Sequence, residues 1–553
     1  MAFATTGSIF DRHSNRIQEV LNKSLRVFLA GLDPVWRDSV VTSQGVGSNA
    51  DLGRDLKITK LFMGSLTGVI DPGRPYGEQD LYGDTTSTLG QLMHTQNTNQ
   101  AYPSPREGPN ATAYRLAIPM KSLVTNLMIT LGEKQADATP ALIDQVVAPK
   151  LTAFARNMAH TLCNYWYLSQ NSSYRLCLMS NSEVIKVNSA GGVADHWKIR
   201  FQPAAFETHR FSRGQRIDII HPSNGLRAND TQSTIGNQKT TTRKQLIVES
   251  VDPLQNRVVL VSSADTNLFY DSTGAAAGGA ATTSWAAQND FDNAAIVYAN
   301  TSMDASNAGS NTFVGIAGIN SWLKNGNETN TDGTKLLGAE ADATDFINVN
   351  DRPEFKSFKY DVAGALTEYN LKRYLQRVHS AFEPNGNTID TLIASEGVWS
   401  AYEAQKIGQY RIDRTSRVAS ITNEGQAEGF TFNFEGRTYR GSTSRYVEGG
   451  TMYGIKLGGK NWKKYVPPSP AGMSKMSQAD AYVPFEFVAG AITGTSTNQL
   501  PMFSISGSDN LVTQASQMPG RIRMQLVPDQ VNGMKLVGIT EDRVYMPTSG
   551  NIA

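Results

Sequence analysis

Tyr114-Arg-Leu-Ala-Ile-Pro-Met-Lys-Ser-Leu-Val-Thr-Asn-Leu-Met-Ile-Thr-Leu131 is a long apolar segment. It turns at Gly132-Glu-Lys-Gln-Ala-Asp137 and enters a helical pattern at Thr139-Pro140. Thr139 can cap that helix, and Pro140 suits the first helical position, whose backbone N–H has no partner in any case. Val147, Leu151, Phe154, Met158, Leu162 and Tyr165 follow at spacings of three and four, the mark of one apolar face. A helix carried to Leu168 is roughly 40–45 Å long at about 1.5 Å per residue. An extended arm joined to so long a helix predicts a subunit shaped to reach its neighbours, more than one wrapped around an active site.

The 553 residues allow two to four domains by a soft prior of about 150 residues each. Charged residues make up 18%, below the usual share of about a quarter, and Gly, Asn, Ser and Thr are abundant. Such a chain presents a neutral surface or hides much of it against partners. A net charge of +1 gives no bulk attraction for nucleic acid or an anionic membrane. The two cysteines, Cys163 and Cys177, read as buried inert thiols, because nothing else speaks for the oxidising compartment a disulfide needs. Met1-Ala-Phe-Ala-Thr-Thr-Gly-Ser lacks the basic start and apolar centre of a signal peptide. No apolar run reaches the roughly 18–20 residues that span a bilayer. The expectation is a soluble protein made in a cytoplasm.

Outward from the opening stretch, residues 1–55 read as an N-terminal arm. In it Ile9, Ile17, Val20, Leu21, Leu25 and Phe28 recur at helical spacing before a loose Ser43-Gln-Gly-Val-Gly-Ser-Asn. Docking on a partner or packing inside the chain suits that helix better than membrane binding. Residues 56–131 read as two extended arms flanking a projecting loop broken at Asp71-Pro-Gly-Arg-Pro-Tyr-Gly77 and Pro103-Ser-Pro-Arg-Glu-Gly-Pro109. Residues 132–194 carry the long helix. Residues 195–345 read as an inserted β-barrel-like domain, with a glycine turn in Phe211–Ile220 and a hairpin turn at Asp252-Pro-Leu-Gln-Asn256. Residues 258–323 hold no Lys or Arg, so that stretch is expected to be a neutral-to-acidic surface away from any phosphate. In residues 346–470, Thr367 and Ser395 can each cap a helix, and strands are expected at Ile389–Ala394, Phe430–Phe434 and Met452–Leu457. Residues 471–553 close with short strands.

The search for chemistry is short. No phosphate-binding glycine loop, His-Glu-x-x-His, nucleophile elbow or CxxC is present. The seven histidines are scattered, and His160 on the long helix is expected to be packed or solvent-facing. Asn327-Glu-Thr-Asn-Thr-Asp-Gly333 has calcium-loop flavour, but Ala339 stands where the bidentate Glu belongs, so it reads as a turn. No cofactor and no metal is expected. Two basic clusters, Tyr410–Arg417 and Lys460–Tyr465, can meet phosphate or acidic partner surfaces. A covalent link between subunits by a Lys and an Asn is chemically feasible, though no residue singles itself out. The assembly-contact candidates are Arg74, Tyr76, Arg106, Arg411, Arg414 and Arg417.

Leu116-Ala-Ile-Pro-Met-Lys-Ser-Leu, Ile129-Thr-Leu-Gly-Glu-Lys-Gln-Ala-Asp137 and Pro140-Ala-Leu-Ile-Asp with Val147-Ala-Pro-Lys-Leu151 are similar to one stretch of a known family. They resemble the second arm of the extended loop leading into the spine helix of tailed-bacteriophage major capsid proteins of the Hong Kong 97 type. Leu366-Thr-Glu, Ile393-Ala-Ser-Glu-Gly-Val-Trp-Ser-Ala-Tyr402 and Tyr446-Val-Glu-Gly-Gly-Thr-Met-Tyr-Gly-Ile-Lys, with Trp462 and Tyr465-Val-Pro-Pro468, are similar to that family's axial domain. The layout matches in order over most of the chain, while the β-rich insertion departs from the minimal plan.

The resemblance implies an α+β, Hong Kong 97-type major capsid fold: N-arm, extended loop, peripheral domain with spine helix, axial domain and the inserted barrel-like domain. It implies a non-enzymatic structural subunit that self-assembles as hexamers and pentamers into an icosahedral shell in the virion, built in the host bacterial cytoplasm. The implied partners are copies of itself, a scaffolding protein, a portal, decoration or cement proteins, and packaged double-stranded DNA bound on the inner face without sequence specificity, with no membrane. Near-zero net charge avoids self-repulsion among many copies, and low charge density suits interface cores. Another virion protein of tail or baseplate, or a secreted carbohydrate-binding or carbohydrate-active β-protein, is the alternative.

Overall fold

The structure, a computed structural model, describes residues 24–25, 27–43, 57–67, 110–119, 121–129, 148–167, 176–187, 196–203, 207–220, 246–262, 295–298, 316–326, 334–337, 347–383, 387–407, 428–434, 436–466, 485–487, 503–504 and 516–541. Residues 24–25 and 27–32 are helical (α1), with Leu25 and Leu29 buried and Val27 turned outward. Asp33 then caps a short helix, α2 (Pro34–Asp38). Its Oδ1 accepts the N–H groups of Val35 at 2.9 Å and Trp36 at 3.3 Å, and Pro34 stands at the first position. Strand β1 (Val40–Ser43) follows. Leu25, Leu29, Val35 and Trp36 belong to the main core, which corrects the expectation of an arm over 1–55: residues 24–43 are built into the body.

β2 (Lys57–Thr67) and β3 (Asn110–Pro119) form a two-stranded antiparallel ladder of their own, from Lys57 opposite Pro119 to Thr67 opposite Asn110. It is about 35 Å long at ~3.3 Å per residue. Its inner end is anchored, because Leu116 and Ile118 are buried and Tyr114 packs edge-on against Phe355 at 5.7 Å. β4 (Lys121–Ile129) continues the chain into the body.

The long helix is α3 (Ala148–Tyr167), 20 residues and about 30 Å in the described part. The Thr139 cap, Pro140 and Val147 lie outside the described residues. Its buried apolar residues are Leu151, Ala155, Met158, Ala159, Leu162, Cys163, Trp166 and Tyr167. The expected stripe through Phe154 and Tyr165 is therefore turned by about one residue. Trp166 decides the rotation by lodging edge-on between Trp36 and Trp462, at 6.4 and 5.0 Å between ring centroids. Phe154 and Tyr165 are half-buried on either side of that face: Phe154 against the main core, Tyr165 against the barrel.

Six strands follow: β5 (Cys177–Val187), β6 (His196–Pro203), β7 (Arg216–Ile220), β8 (Leu246–Asp252), β9 (Arg257–Ser262) and β10 (Ala295–Tyr298). They close a barrel in the order β10-β5-β6-β9-β8-β7. Alternate residues, among them Ile199, Phe201, Ile217, Ile219, Val258 and Leu260, fill it. Asp252 Oδ1 accepts the N–H groups of Leu254 and Gln255, which closes the β8–β9 turn as its Asp-Pro signal predicts. The insertion thus begins at 177, ahead of the expected 195. Its expected end is also revised, because Ile316, Ala317, Leu336, Leu337, Ile347 and Val349 pack in the main core. Within the lysine- and arginine-free stretch, Val258, Leu260 and Ile316–Trp322 are interior, so those parts are not surface.

α4 (Ile319–Trp322) sits at the C-terminal end of α3. Gly318 lets it do so: a Cβ there would stand 2.5 Å from the carbonyl oxygen of Trp166. Next come β11 (Phe358–Gly364), α5 (Glu368–Phe382), β12 (Thr391–Ala394), α6 (Glu396–Ile407), β13 (Glu428–Phe434), β14 (Arg437–Thr443), β15 (Met452–Ile455) and β16 (Trp462–Val466). Thr367 Oγ1 accepts the Asn370 N–H and Ser395 Oγ the Val398 N–H, so both expected caps form. The last strands are β17 (Phe485–Phe487), β18 (Phe503–Ser504), β19 (Ser516–Pro528) and β20 (Met534–Ile539).

Two six-stranded sheets result among the described residues. β11-β20-β15-β12-β14-β13 carries α5 and α6 over a core of Leu371, Leu375, Leu392, Trp399 and Leu536. β1-β16-β19-β17, with β4 and β18 on β19, forms the other. Each takes a strand across the expected boundary at 470: β20 joins the first and β16 the second. Both mixed sheets contain parallel pairs, β11 with β20 and β1 with β16, which no local turn can announce.

Candidate functional site

All six assembly-contact candidates, Arg74, Tyr76, Arg106, Arg411, Arg414 and Arg417, lie outside the described residues, as does the 327–333 turn. The second basic cluster is described and is largely used inside the chain. The Lys464 ammonium donates to the Trp36 carbonyl at 2.6 Å and lies 5.8 Å from the Trp36 ring centroid. Lys463 pairs with Asp529 at 2.9 Å, a hydrogen bond that holds its pKa above the ordinary lysine value. These lysines link β16 to α2 and to Asp529 just after β19.

What the fold brings together is a junction of α3, the barrel and the loop after β14. Arg210, in the 3₁₀ turn Thr208–Arg210, is buried beside Glu207 at 3.1 Å. Its other donors reach the Leu176 carbonyl at 2.7 Å and the Tyr446 carbonyl at 2.9 Å. One guanidinium therefore ties the first barrel strand to the body. A buried charge is tolerated only when paired and hydrogen-bonded, as here. Asp33 makes a second node. It is buried and accepts from Ser444 Oγ at 2.7 Å as well as from the α2 amides. Burial raises its pKa, and the Ser444 and Tyr167 hydroxyls work against that rise.

Above this junction opens a cleft of about 1000 Å³ lined by Phe28, Arg156, His160, His209, Phe211 and Arg445 among others. His160 Nδ1 meets the Tyr446 hydroxyl, and the two rings stack edge-on. Burial, then the Arg445 and Arg156 charges, push the His160 pKa down to about 4. Burial raises that of Tyr446. His160 is thus a neutral imidazole that accepts from a neutral phenol. It is packed, in line with the expectation for it.

Among the described residues no group of three His, Cys, Asp or Glu side chains is placed to hold a metal ion. No helix among them is long and apolar enough to cross a membrane. Both cysteines are free and buried, and burial drives the Cys163 thiol well above its ordinary pKa, so it is a poor nucleophile. Sequence reasoning missed Arg210 and Glu207, whose spacing of three in a loop carries no signal. It also missed Asp33, although Asp before Pro is a helix-start signal.

No protein-family model matches the chain. No curated protein matches it either. Among solved structures, the chain is similar to one from the cyanophage A-1(L) capsid asymmetric unit, at 9% identity and a TM-score of 0.34, over 90% of each chain. It is also similar to a holo-SrpI encapsulin complex from Synechococcus elongatus PCC 7942, at 12% identity and a TM-score of 0.18. That match covers 34% of this chain and 56% of the other.

Proposed function

We propose that this chain is a major capsid protein of a double-stranded DNA phage, a subunit that closes an icosahedral shell by fitting against copies of itself. The observation that carries the reading is the course of residues 110–167. A ladder about 35 Å long leaves the body in a sheet of its own, its strand β3 runs on through β4 into the body's sheet, and α3 follows as the spine of the main core. A two-stranded ladder is marginal in water on its own. The proposal places a neighbouring subunit against its outer end. The sequence motifs similar to the Hong Kong 97 type point the same way.

On this reading the chain turns over no substrate. Its partners are neighbouring copies, a scaffolding protein, a portal, decoration proteins and the packaged DNA, and its location is the virion shell after assembly in a bacterial cytoplasm. Negative-stain microscopy of the expressed chain tests it. Closed shells or capsomers support the proposal. Tubes or rings assign the chain to a tail or baseplate, and dispersed monomers at high concentration overturn self-assembly.

A further inference from the structure

The proposed function leaves unused the cleft between α3, the loop before β7 and the loop after β14. Its volume, about 1000 Å³, is at the upper end of ordinary ligand clefts. Two guanidiniums line it from different elements, Arg156 on α3 and Arg445 after β14. Both residues are exposed. Among the described residues neither is ion-paired, and no Asp or Glu lines the cleft. Arg200, Arg210 and Arg440, by contrast, each meet a carboxylate, at 2.9, 3.1 and 3.3 Å. Arg445 and Arg156 add to burial in pushing the His160 pKa down to about 4, so both lie near the same imidazole. Tyr446 keeps its phenolic proton, because burial raises its pKa, and shares it with His160 Nδ1. A neutral ring whose Nδ1 accepts carries its own proton on Nε2. His160 thus offers the cleft an N–H donor and adds no charge. Phe28 and Phe211, with Pro149 and Pro253, add apolar walls.

Two cations and a neutral donor suit an anion with several oxygens, and the aromatic walls suit a flat apolar body. We propose that this cleft binds a small phosphate monoester carried on an aromatic ring, with Arg156 and Arg445 on the phosphate and Phe28 and Phe211 beside the ring. One guanidinium fork satisfies a carboxylate, whereas a phosphate dianion has the oxygens and the charge for two forks on separate elements. Duplex DNA presents phosphate without a free ring to meet Phe28 and Phe211, so it fits the cleft less well. All these residues belong to one subunit, so the site stands apart from shell assembly. Binding is linked to His160. The titratable and charged groups around that ring are Arg156 on its own helix, Arg445 and Tyr446 on the facing loop, and His209, whose ring centroid lies 5.7 Å from that of Tyr446. A bound dianion offsets the two positive charges, so occupancy is expected to raise the His160 pKa from about 4 towards its ordinary value.

Isothermal titration calorimetry of the full-length chain with phenyl phosphate tests this. One saturable site per chain is expected. Benzoate and inorganic phosphate, each lacking one half of the ligand, are expected to bind about tenfold more weakly. Arg156→Gln and Arg445→Gln, both surface changes, are each expected to weaken phenyl phosphate binding about tenfold through loss of one charge-assisted pair. Their circular dichroism spectra and thermal midpoints should match the wild type, which separates a lost site from a lost fold. Histidine NMR of the occupied chain is expected to show the His160 titration moved up. Absence of saturable binding at millimolar phenyl phosphate overturns the proposal, as does full affinity in both arginine variants. Equal affinity for phenyl phosphate and inorganic phosphate overturns the role of the aromatic walls. Displacement of phenyl phosphate by an equimolar short DNA duplex overturns the small ligand in favour of nucleic acid.

Discussion

The spine helix and the β2–β3 ladder are neighbours in sequence and opposites in how they are satisfied. The helix buries eight apolar side chains and Asn164 inside its own chain, and Trp166 is enclosed by Trp36 and Trp462. The ladder joins neither six-stranded sheet among the described residues, and Tyr114, Leu116 and Ile118 anchor its inner end. One element is complete in a lone subunit. On the proposed function, the other is completed by a neighbour. A shell protein requires that division: a body that keeps its shape in every position, and a reaching part whose contacts come from assembly.

Substitutions in the two regions should separate cleanly, as measured by urea unfolding of dispersed subunits alongside shell yield. Trp166→Ala is expected to have the largest effect, about 3–5 kcal/mol lost from subunit stability, because it empties the centre of the tryptophan cluster. An unchanged midpoint would show that the helix face is wrongly placed. Arg210→Met is next, at about 3 kcal/mol, because it removes the cation beside the buried Glu207 carboxylate. Adding Glu207→Leu should recover most of that loss. If the double variant is no better than the single one, the guanidinium acts through its carbonyl contacts alone.

The pH dependence comes third. The His160 pKa lies below its unfolded value, so its contribution is present above about pH 6.5 and is lost as pH falls towards about 4. The wild-type chain should lose about 2 kcal/mol more over that window than His160→Gln, after a discount for partial exposure. Parallel titration curves for the two would contradict the buried neutral imidazole. Thr367→Ala should cost about 1 kcal/mol by removing the α5 cap. Ala113→Pro, at the outer end of the ladder opposite Met63, should shift subunit stability by under about 0.5 kcal/mol yet sharply reduce shell yield. Equal loss in both readouts would mean the ladder belongs to the body.

Local signals in the sequence carried far. Thr367, Ser395 and the Asp252 turn are legible because a cap or turn is settled within four residues. The long helix is legible as a helix, and Leu151, Met158 and Leu162 of its expected stripe are buried, while the face is centred nearer Ala155 and Trp166 than Phe154 and Tyr165. Phe154 and Tyr165 outrank Ala155 in hydrophobicity, and only the partners of Trp166 decide between the two faces. The exchange of β16 and β20 across the expected boundary was beyond reach, since parallel pairing joins Val40 to Lys463 and Phe358 to Met534 with no turn between them. The same distance hid the polar centres. Arg210 meets Tyr446 and Lys535 meets Asn320 only after the sheets have formed. The sequence drew attention instead to loop arginines outside the described residues, while Arg210, Lys464 and Lys535 are interior.

Amide hydrogen exchange along β2 and β3, compared between dispersed subunits and assembled shells, tests the central claim most directly. The account predicts that Lys57–Lys60 and Leu116–Ile118 are protected in both states. Met63–Thr67 and Asn110–Ala113 are predicted to gain protection only in shells. Full protection of the outer end in the lone subunit, unchanged on assembly, would contradict it.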